Sequence, residues 1–278
     1  MTTTPTRITI LIDNQAVAGC EAEHGFSLWL ETGGRRLLFD TGQGEAFIGN
    51  AATLGIDPGL ADTIVLSHGH YDHSGGLPQI LRRARKADLY CHPAVVSSRY
   101  SIRNGTPKDI RMPSASLIAL DRLPLERLHW MQRPHPLSGT IGLSGPIPRV
   151  SGFEDTGGPF FLDRQGQRPD PIDDDLALWV RTEGGLIVVV GCAHAGLVNT
   201  LLHARRCNDD LPIRAVIGGF HLLNAASRRL EQTIAALREL SPERIVPCHC
   251  TGGVAVTALR HAFGDRVLPG AAGARYIF

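Results

Sequence analysis

Cysteine is scarce and scattered in this 278-residue chain, with six residues at positions 20, 91, 192, 207, 248 and 250. So few thiols in so long a chain argue against a disulfide framework. Long hydrophobic runs are missing too, and no segment approaches the roughly 20 apolar residues that a membrane-spanning helix requires. Charge of one sign is not in excess: 28 Lys and Arg against 27 Asp and Glu leave a formal net charge of +1. A general electrostatic attraction to DNA or RNA is therefore not expected. The opening MTTTPTRITILIDNQ has no basic segment leading into an apolar core, so a secretory signal is not expected. A reduced, cytoplasmic setting is the resulting expectation. What remains, 43% hydrophobic and 20% charged residues, is the composition of an ordinary soluble globular protein.

Length allows one large domain or two small ones. Along the chain, RITILID (7–13), SLWLE (27–31), RLLFD (36–40), TIVLS (63–67) and ADLYC (87–91) read as strands. EAFIGNAATLG (45–55) and GLPQILRRARK (76–86) read as helices, the first closed by Gly55. The stretch 98–172 is rich in Pro, Gly and Arg and reads as loops and short strands, an insertion over a site. Regular structure resumes with a hairpin at 176–192 across Glu183-Gly184-Gly185, and three strand-then-helix units follow. Strands first in meander, then alternating with helices, predict two sheets packed face to face with helices outside. No composition break marks a boundary, so one domain over 1–278 with an internal two-fold character is expected.

The chemistry concentrates in LSHGHYDHSGGL (66–77), where His68, His70, Asp72 and His73 fall within six positions at the end of a strand. His194, His221 and His249 each end one of the later strands, the equivalent position. Ligands and reactive groups converge at such strand ends in α/β sheets. A satisfied core histidine explains one such residue, not this set. Imidazole and carboxylate suit zinc, iron or manganese, and the two-residue spacing lets His68 and His70 point the same way to grip one ion. Asp72 and His73 lie one step on, placed for a second ion about 3.5–4 Å away, the spacing of two-metal hydrolysis. A metal lowers the pKa of its water toward about 7 and so supplies a nucleophile without serine or cysteine. Ser74-Gly75-Gly76 is expected to turn the backbone tightly into the next helix, whose free amides would help bind an anion.

Ser67 to Leu77, with Phe39-Asp40-Thr41-Gly42 upstream, resembles the signature of the metallo-β-lactamase superfamily. That resemblance covers almost the whole chain and implies an αββα sandwich, usually a one- or two-metal hydrolase. Four further runs, Glu23–Ser27, Gly191–Gly196, Gly218–Leu222 and Pro247–Gly252, resemble the branch named for dihydropterin-ribofuranosylaminobenzene-phosphate synthase. The enzyme behind that name joins a pterin diphosphate to an aminobenzene ribosyl phosphate, which implies a transferase. The chain also departs from the superfamily pattern. The Gly-His-Thr-Pro-Gly turn that supplies a further His in many members is missing, and His194 is expected to fill that vacancy. The later strand ends in Gly191-Cys192 where members usually have Gly-Asp, whose carboxylate bridges two metals, so a second metal is expected to bind more weakly.

On this reading His68, His70 and His194 hold the first metal, and Asp72, His73 and His249 hold the second. Asp72 and His221 are the candidate catalytic side chains, although His221 reads equally as a ligand, a substrate contact or a structural residue. Cys192 is a ligand by position or a buried small apolar thiol. Cys248 and Cys250 are expected to point to the strand face opposite His249 and to pack. Asp40 either orients a ligand imidazole or stabilises the turn before Thr41-Gly42. His24 reads as a turn residue beside Gly25. His92, His129, His135, His203 and His261 have no motif around them. Residues 81–112 hold eight Arg or Lys against Asp88 and Asp109, either a solvated face or an arm that draws an anionic substrate toward the metal. The expectation is a hydrolase with one or two divalent ions, zinc first, acting on a small ester-like or phosphoester molecule. The rivals are the pterin-diphosphate transferase and a non-catalytic metal-binding sensor or scaffold.

Overall fold

The computed structural model describes residues 5–278. The first half contains β1 (Arg7–Ile12), β2 (Ser27–Thr32), β3 (Arg35–Phe39), α1 (Phe47–Thr53), β4 (Thr63–Val65), the single-turn α2 (Tyr71–Ser74), α3 (Leu77–Arg83) and β5 (Asp88–Cys91). The middle adds β6 (Tyr100–Arg103), β7 (Thr106–Asp109), α4 (Ser114–Asp121), β8 (Leu128–Trp130), β9 (His135–Pro136), β10 (Ile141–Leu143) and β11 (Phe160–Phe161). The remainder comprises β12 (Ala177–Thr182), β13 (Gly185–Val190), α5 (Leu197–Arg206), β14 (Ile213–Gly219), α6 (Ser227–Leu240), β15 (Arg244–Cys248), α7 (Gly253–Phe263) and β16 (Arg275–Ile277).

Two large sheets result, ordered β16-β1-β2-β3-β4-β5-β8 and β15-β14-β13-β12-β10-β9. Antiparallel hairpins build one side of each. The β2–β3 turn uses Gly33 and Gly34, both at positive φ (56° and 77°), as a two-residue hairpin turn of this hand requires. From β3 onward the first sheet is parallel through β4, β5 and β8, and in the second sheet β13, β14 and β15 run parallel. Parallel strands need crossovers, and the helices supply them.

Period-two alternation assigns the layers. In β13, Ile187 and Val189 join Ile8, Ile10, Leu28 and Leu37 of the opposite sheet in the core between the sheets. Leu186, Val188 and Val190 face the other way and pack on Leu201, Leu237 and Leu259 of α5, α6 and α7. On the first sheet Leu38, Ile64 and Leu89 pack outward against Phe47, Ala51, Leu77 and Ile80 of α1 and α3. The result is a four-layer αββα sandwich. Fully burying each of these aliphatic side chains stabilises by roughly 1.5–3 kcal/mol, so a one-residue register slip would expose a whole face.

The segment 98–172 is more ordered than its composition suggests. β8, β9 and β10 extend the edges of the two large sheets, and α4 packs Leu120 into the outer core. Only β6, β7 and β11 form a separate small sheet, and this is the part that overhangs the site. The helix at Ser114–Asp121 escaped the sequence pattern because its apolar residues form no helical stripe; only Ser116 and Leu120 are buried.

Candidate metal centre

The carboxyl ends of β3, β4, β13, β14 and β15 converge, and each delivers a side chain to one place. The chain must leave these strands abruptly to do so. Asp40, Ala193, His221 and His249 all adopt positive φ, between 45° and 57°, although none is glycine. Such backbone is costly for side-chain-bearing residues and clusters at functional sites.

His68, His70 and His194 form one group. Their ring centroids lie 4.5–4.9 Å apart, and all three are buried. His68 Nε2 and His70 Nδ1 come within 3.0 Å of each other. His68 Nδ1 lies 2.9 Å from Ser67 Oγ, and His194 Nδ1 donates to the Thr156 carbonyl at 2.7 Å. His68 and His194 thus each have an outer nitrogen held by an oxygen, leaving the other to act as an inward lone pair, the arrangement that orients metal-ligating imidazoles; His70 Nε2 is buried without a partner among the described residues. His194 Nε2 is buried with no hydrogen-bond partner among the described residues, an orphan that a metal would satisfy. Burial, reinforced by the neighbouring imidazoles, holds His68 and His194 well below the usual histidine range; burial with Arg99 nearby does the same for His70. Neutral imidazole is the form that binds metal.

Asp72, His73 and His249 form the second group. Asp72 Oδ2 lies 3.4 Å from His249 Nε2 and 3.2 Å from His24 Nε2. Burial raises the Asp72 carboxyl, but hydrogen bonds from His24 and His249 outweigh it and hold the group well below the usual carboxylate range. His249 Nδ1 is held by Asn14 Oδ1 at 2.8 Å, and its backbone N–H donates to Asp13 at 2.8 Å. His73 Nδ1 is held by Asp40 Oδ2 at 2.7 Å, so Asp40 orients an imidazole rather than only closing a turn. Cys192 stands between the groups: its Sγ falls within 4.8 Å of ligand atoms of His68 and His194, and also of His73 and His249. The donor atoms that come within 4.8 Å of one another here include those of His68, Cys192 and His194, of His73, Cys192 and His249, and of His24, Asp72 and His249, sets whose chemistry fits a divalent ion.

Three sequence expectations change. His24, read as a turn residue, reaches the site through Asp72. Cys250 does not face away: β15 ends at Cys248, so strand alternation stops there, and Cys250 Sγ sits 3.3 Å from Cys192 Sγ. Cys248 does pack in the core between the sheets. Gly75 and Gly76 have ordinary helical backbone and are needed for contact instead. A Cβ at Gly76 would lie 2.3 Å from the Thr41 carbonyl oxygen. Their amides donate to the Tyr71 and Gly42 carbonyls, and the Gln79 and Ile80 amides of α3 donate to Gly76.

Two carboxylates that sequence reasoning missed fasten the ligand loops. Asp174 Oδ2 accepts from the Gly69 amide at 2.8 Å, between His68 and His70, and from buried Arg99 at 2.8 Å. Asp175 accepts from the Ala195 amide at 2.7 Å, beside His194. The run Asp173-Asp174-Asp175, between the segment read as loop and the hairpin at 176–192, was the available signal. His92, His129, His135, His203 and His261 lie outside both groups.

Above the clusters opens a cleft of about 450 Å³, lined among others by His24, Tyr71, Phe160, His221, Arg103 and Lys108. Of the eight basic residues between 81 and 112, only Arg103 and Lys108, on the β6–β7 hairpin, line this cleft. Arg82, Arg83, Arg85 and Lys86 are solvated at the end of α3, Arg99 is buried against Asp174, and Arg111 pairs with Asp109.

The model of the metallo-beta-lactamase superfamily matches residues 21–249. The chain belongs to that superfamily. Within it, the chain is 31% identical over 246 residues to the 7,8-dihydropterin-6-methyl-4-(beta-D-ribofuranosyl)-aminobenzene-5'-phosphate synthase of Methanocaldococcus jannaschii, covering 83% of this chain and 82% of the relative. Among solved structures it is similar to Tm1679, described as a metal-dependent hydrolase of the beta-lactamase superfamily. The TM-score is 0.82 and the identity 32%, over 98% of both chains. YhfI from Bacillus subtilis, at 11% identity and a TM-score of 0.57 over 99% of this chain and all of its own, shares the fold. Members of the superfamily bind divalent metals, and the His, Cys and Asp groups described above are the candidates here.

Proposed function

We propose that the protein is a metal-dependent hydrolase acting on a small anionic molecule with an ester-like or phosphoester centre. The observation that carries this reading is the set of inward nitrogens of His68, His70 and His194 at the base of an open cleft whose rim holds Arg103 and Lys108. His68, His70 and His194 would hold one divalent ion, zinc in first place, and Asp72, His73 and His249 a second. When bound, such an ion supplies Lewis acidity and a water acidified toward neutral pH.

The chain's own residues supply the rest. Arg103 and Lys108 attract the anion and place its reacting end over the base of the cleft. Phe160, against His70, His194 and His221 with ring centroids 5.4–5.8 Å away, walls the cleft and restricts water. Asp72, kept ionised by His24 and His249, accepts a hydrogen bond from an attacking water and holds it in line. His221 lines the same cleft.

A second reading has its own support: the relative at 31% identity is named as a synthase. In that case the same cleft binds a pterin diphosphate and an aromatic amine acceptor, and the cations face the leaving diphosphate. The metal-loaded protein should be assayed against phosphodiester, lactone and thioester panels, and separately with a pterin diphosphate plus an aromatic amine. Hydrolytic turnover supports the first reading. Activity only with the pterin pair supports the second, and binding without turnover in any assay favours a sensor.

A further inference from the structure

Three adjacent parallel strands each end in a donor that the two clusters above leave aside or share. Cys192 follows β13, His221 follows β14, and Cys250 sits in the single 3-10 turn after β15. Their ligand atoms all lie within 4.8 Å of one another, and all three residues line the cleft. His221 Nδ1 is buried without a hydrogen-bond partner among the described residues. Gly219 leaves room for the second sulfur, since a Cβ there would come within 2.6 Å of Cys250 Sγ.

The sulfur spacing separates two uses of such a pair. A disulfide requires about 2.05 Å between sulfurs. Two thiolates on one tetrahedral zinc, each about 2.3 Å from the metal, lie about 3.8 Å apart. The observed 3.3 Å is about 0.5 Å short of the second value and about 1.3 Å beyond the first. Opening the pair slightly is a smaller change than closing it to a bond.

We propose that Cys192, His221 and Cys250 form a sulfur-rich ion site of their own, taking zinc or a similarly thiophilic divalent ion, with a fourth position open to the cleft. Two cysteines and one histidine with an open position are a donor set that holds zinc in catalytic sites. Thiolate selects softer ions than the imidazole and carboxylate groups alongside, so the two regions differ in metal preference. Cys192 Sγ lies 3.1 Å from His73 Nε2, so the new site abuts the second cluster. Cys250 and His221 are the donors that belong to it alone.

The test uses the full chain, stripped of metal, kept reduced and loaded with cobalt(II) as a spectroscopic stand-in for zinc. Thiolate ligation gives a near-ultraviolet charge-transfer band that nitrogen and oxygen ligands do not. The wild-type spectrum should show that band at two-thiolate intensity. Cys250→Ser should lower it by about half and Cys192→Ser by at least as much, while Cys248→Ser, in the core, keeps it whole. Cys250→Ala replaces the serine variant if the latter fails to fold. His221→Ala should lower the bound-ion count without removing the ion held by His68, His70 and His194. A wild-type protein with no band, or a band of full intensity in the Cys250 variant, overturns the proposal. Neither result depends on turnover, so the hydrolase reading stands or falls separately.

Discussion

Asp40 and His73 are joined in the interior by a hydrogen bond of 2.7 Å from imidazole Nδ1 to carboxylate Oδ2, with neither side chain exposed. The same oxygen accepts from Ser67 Oγ at 2.7 Å, and Ser67 Oγ in turn lies 2.9 Å from His68 Nδ1. One carboxylate therefore sets the orientation of a ligand in each cluster. Burial pushes the His73 imidazole down, but Asp40 beside it more than offsets this and leaves it at about 9.

Asp40→Asn keeps the shape and removes the charge. His73 should then lose its protonated form near neutral pH, followed by its ring signals in NMR. Metal affinity should fall roughly 10–100-fold, the usual effect of losing such a partner. Unchanged affinity in a metal titration would show that Asp40 only closes the turn.

Arg99 is almost wholly buried and held by Asp174, which also carries the Gly69 amide between His68 and His70. Asp174→Ala leaves that guanidinium with Asp170, at 3.1 Å, and the Ala94 carbonyl, at 3.2 Å. The expected loss is about 3–5 kcal/mol, typical of breaking a buried pair by removing one partner. Denaturant unfolding measures it; a change below about 1 kcal/mol would mean that water reaches the pair.

Cys248 packs between the sheets beside Val246 and Ile217. Cys248→Ser should leave metal content unchanged while destabilising the fold by about 1–3 kcal/mol, because a hydroxyl enters an apolar layer. Loss of metal in that variant would place Cys248 in the site instead.

Acid should destabilise the metal-free protein. His68, His70 and His194 have folded pKa values depressed below the ordinary 6.5. Their contribution is present above 6.5 and is lost as pH falls, because only the unfolded chain takes up those protons. Asp13 and Asp175, raised by burial to about 6 and about 7, act the opposite way: their contribution is present at low pH and lost as pH rises through those values. His92 is lowered and Asp170 raised as well, so four groups against three leave a net loss on acidification from pH 6.5 toward 4.5, about 1.4 kcal/mol per pH unit for one proton. Thermal melts across that range check the sign; a melting temperature that rises steadily with acid would contradict it.

The sandwich was legible in the sequence because apolar strand runs such as LIVVV and strand-then-helix units mark its sheets and outer helices. The clustered histidines were legible because each follows such a strand. Cys250 and His24 were not, since both depend on backbone that leaves strand geometry: the turn after Cys248 and the loop that lays His24 over Asp72. Asp174 and Asp175 were hidden for another reason. They act by accepting amide hydrogens from loops more than 15 residues away in sequence, and no local pattern encodes that pairing.

The most direct measurement is bound metal per chain, by elemental analysis after dialysis, in the wild type and in His70→Ala. If His68, His70 and His194 hold an ion through their inward nitrogens, the variant should lack that ion and lose turnover with it, since a missing ligand removes the site itself. Equal metal content in the two proteins would contradict the assignment.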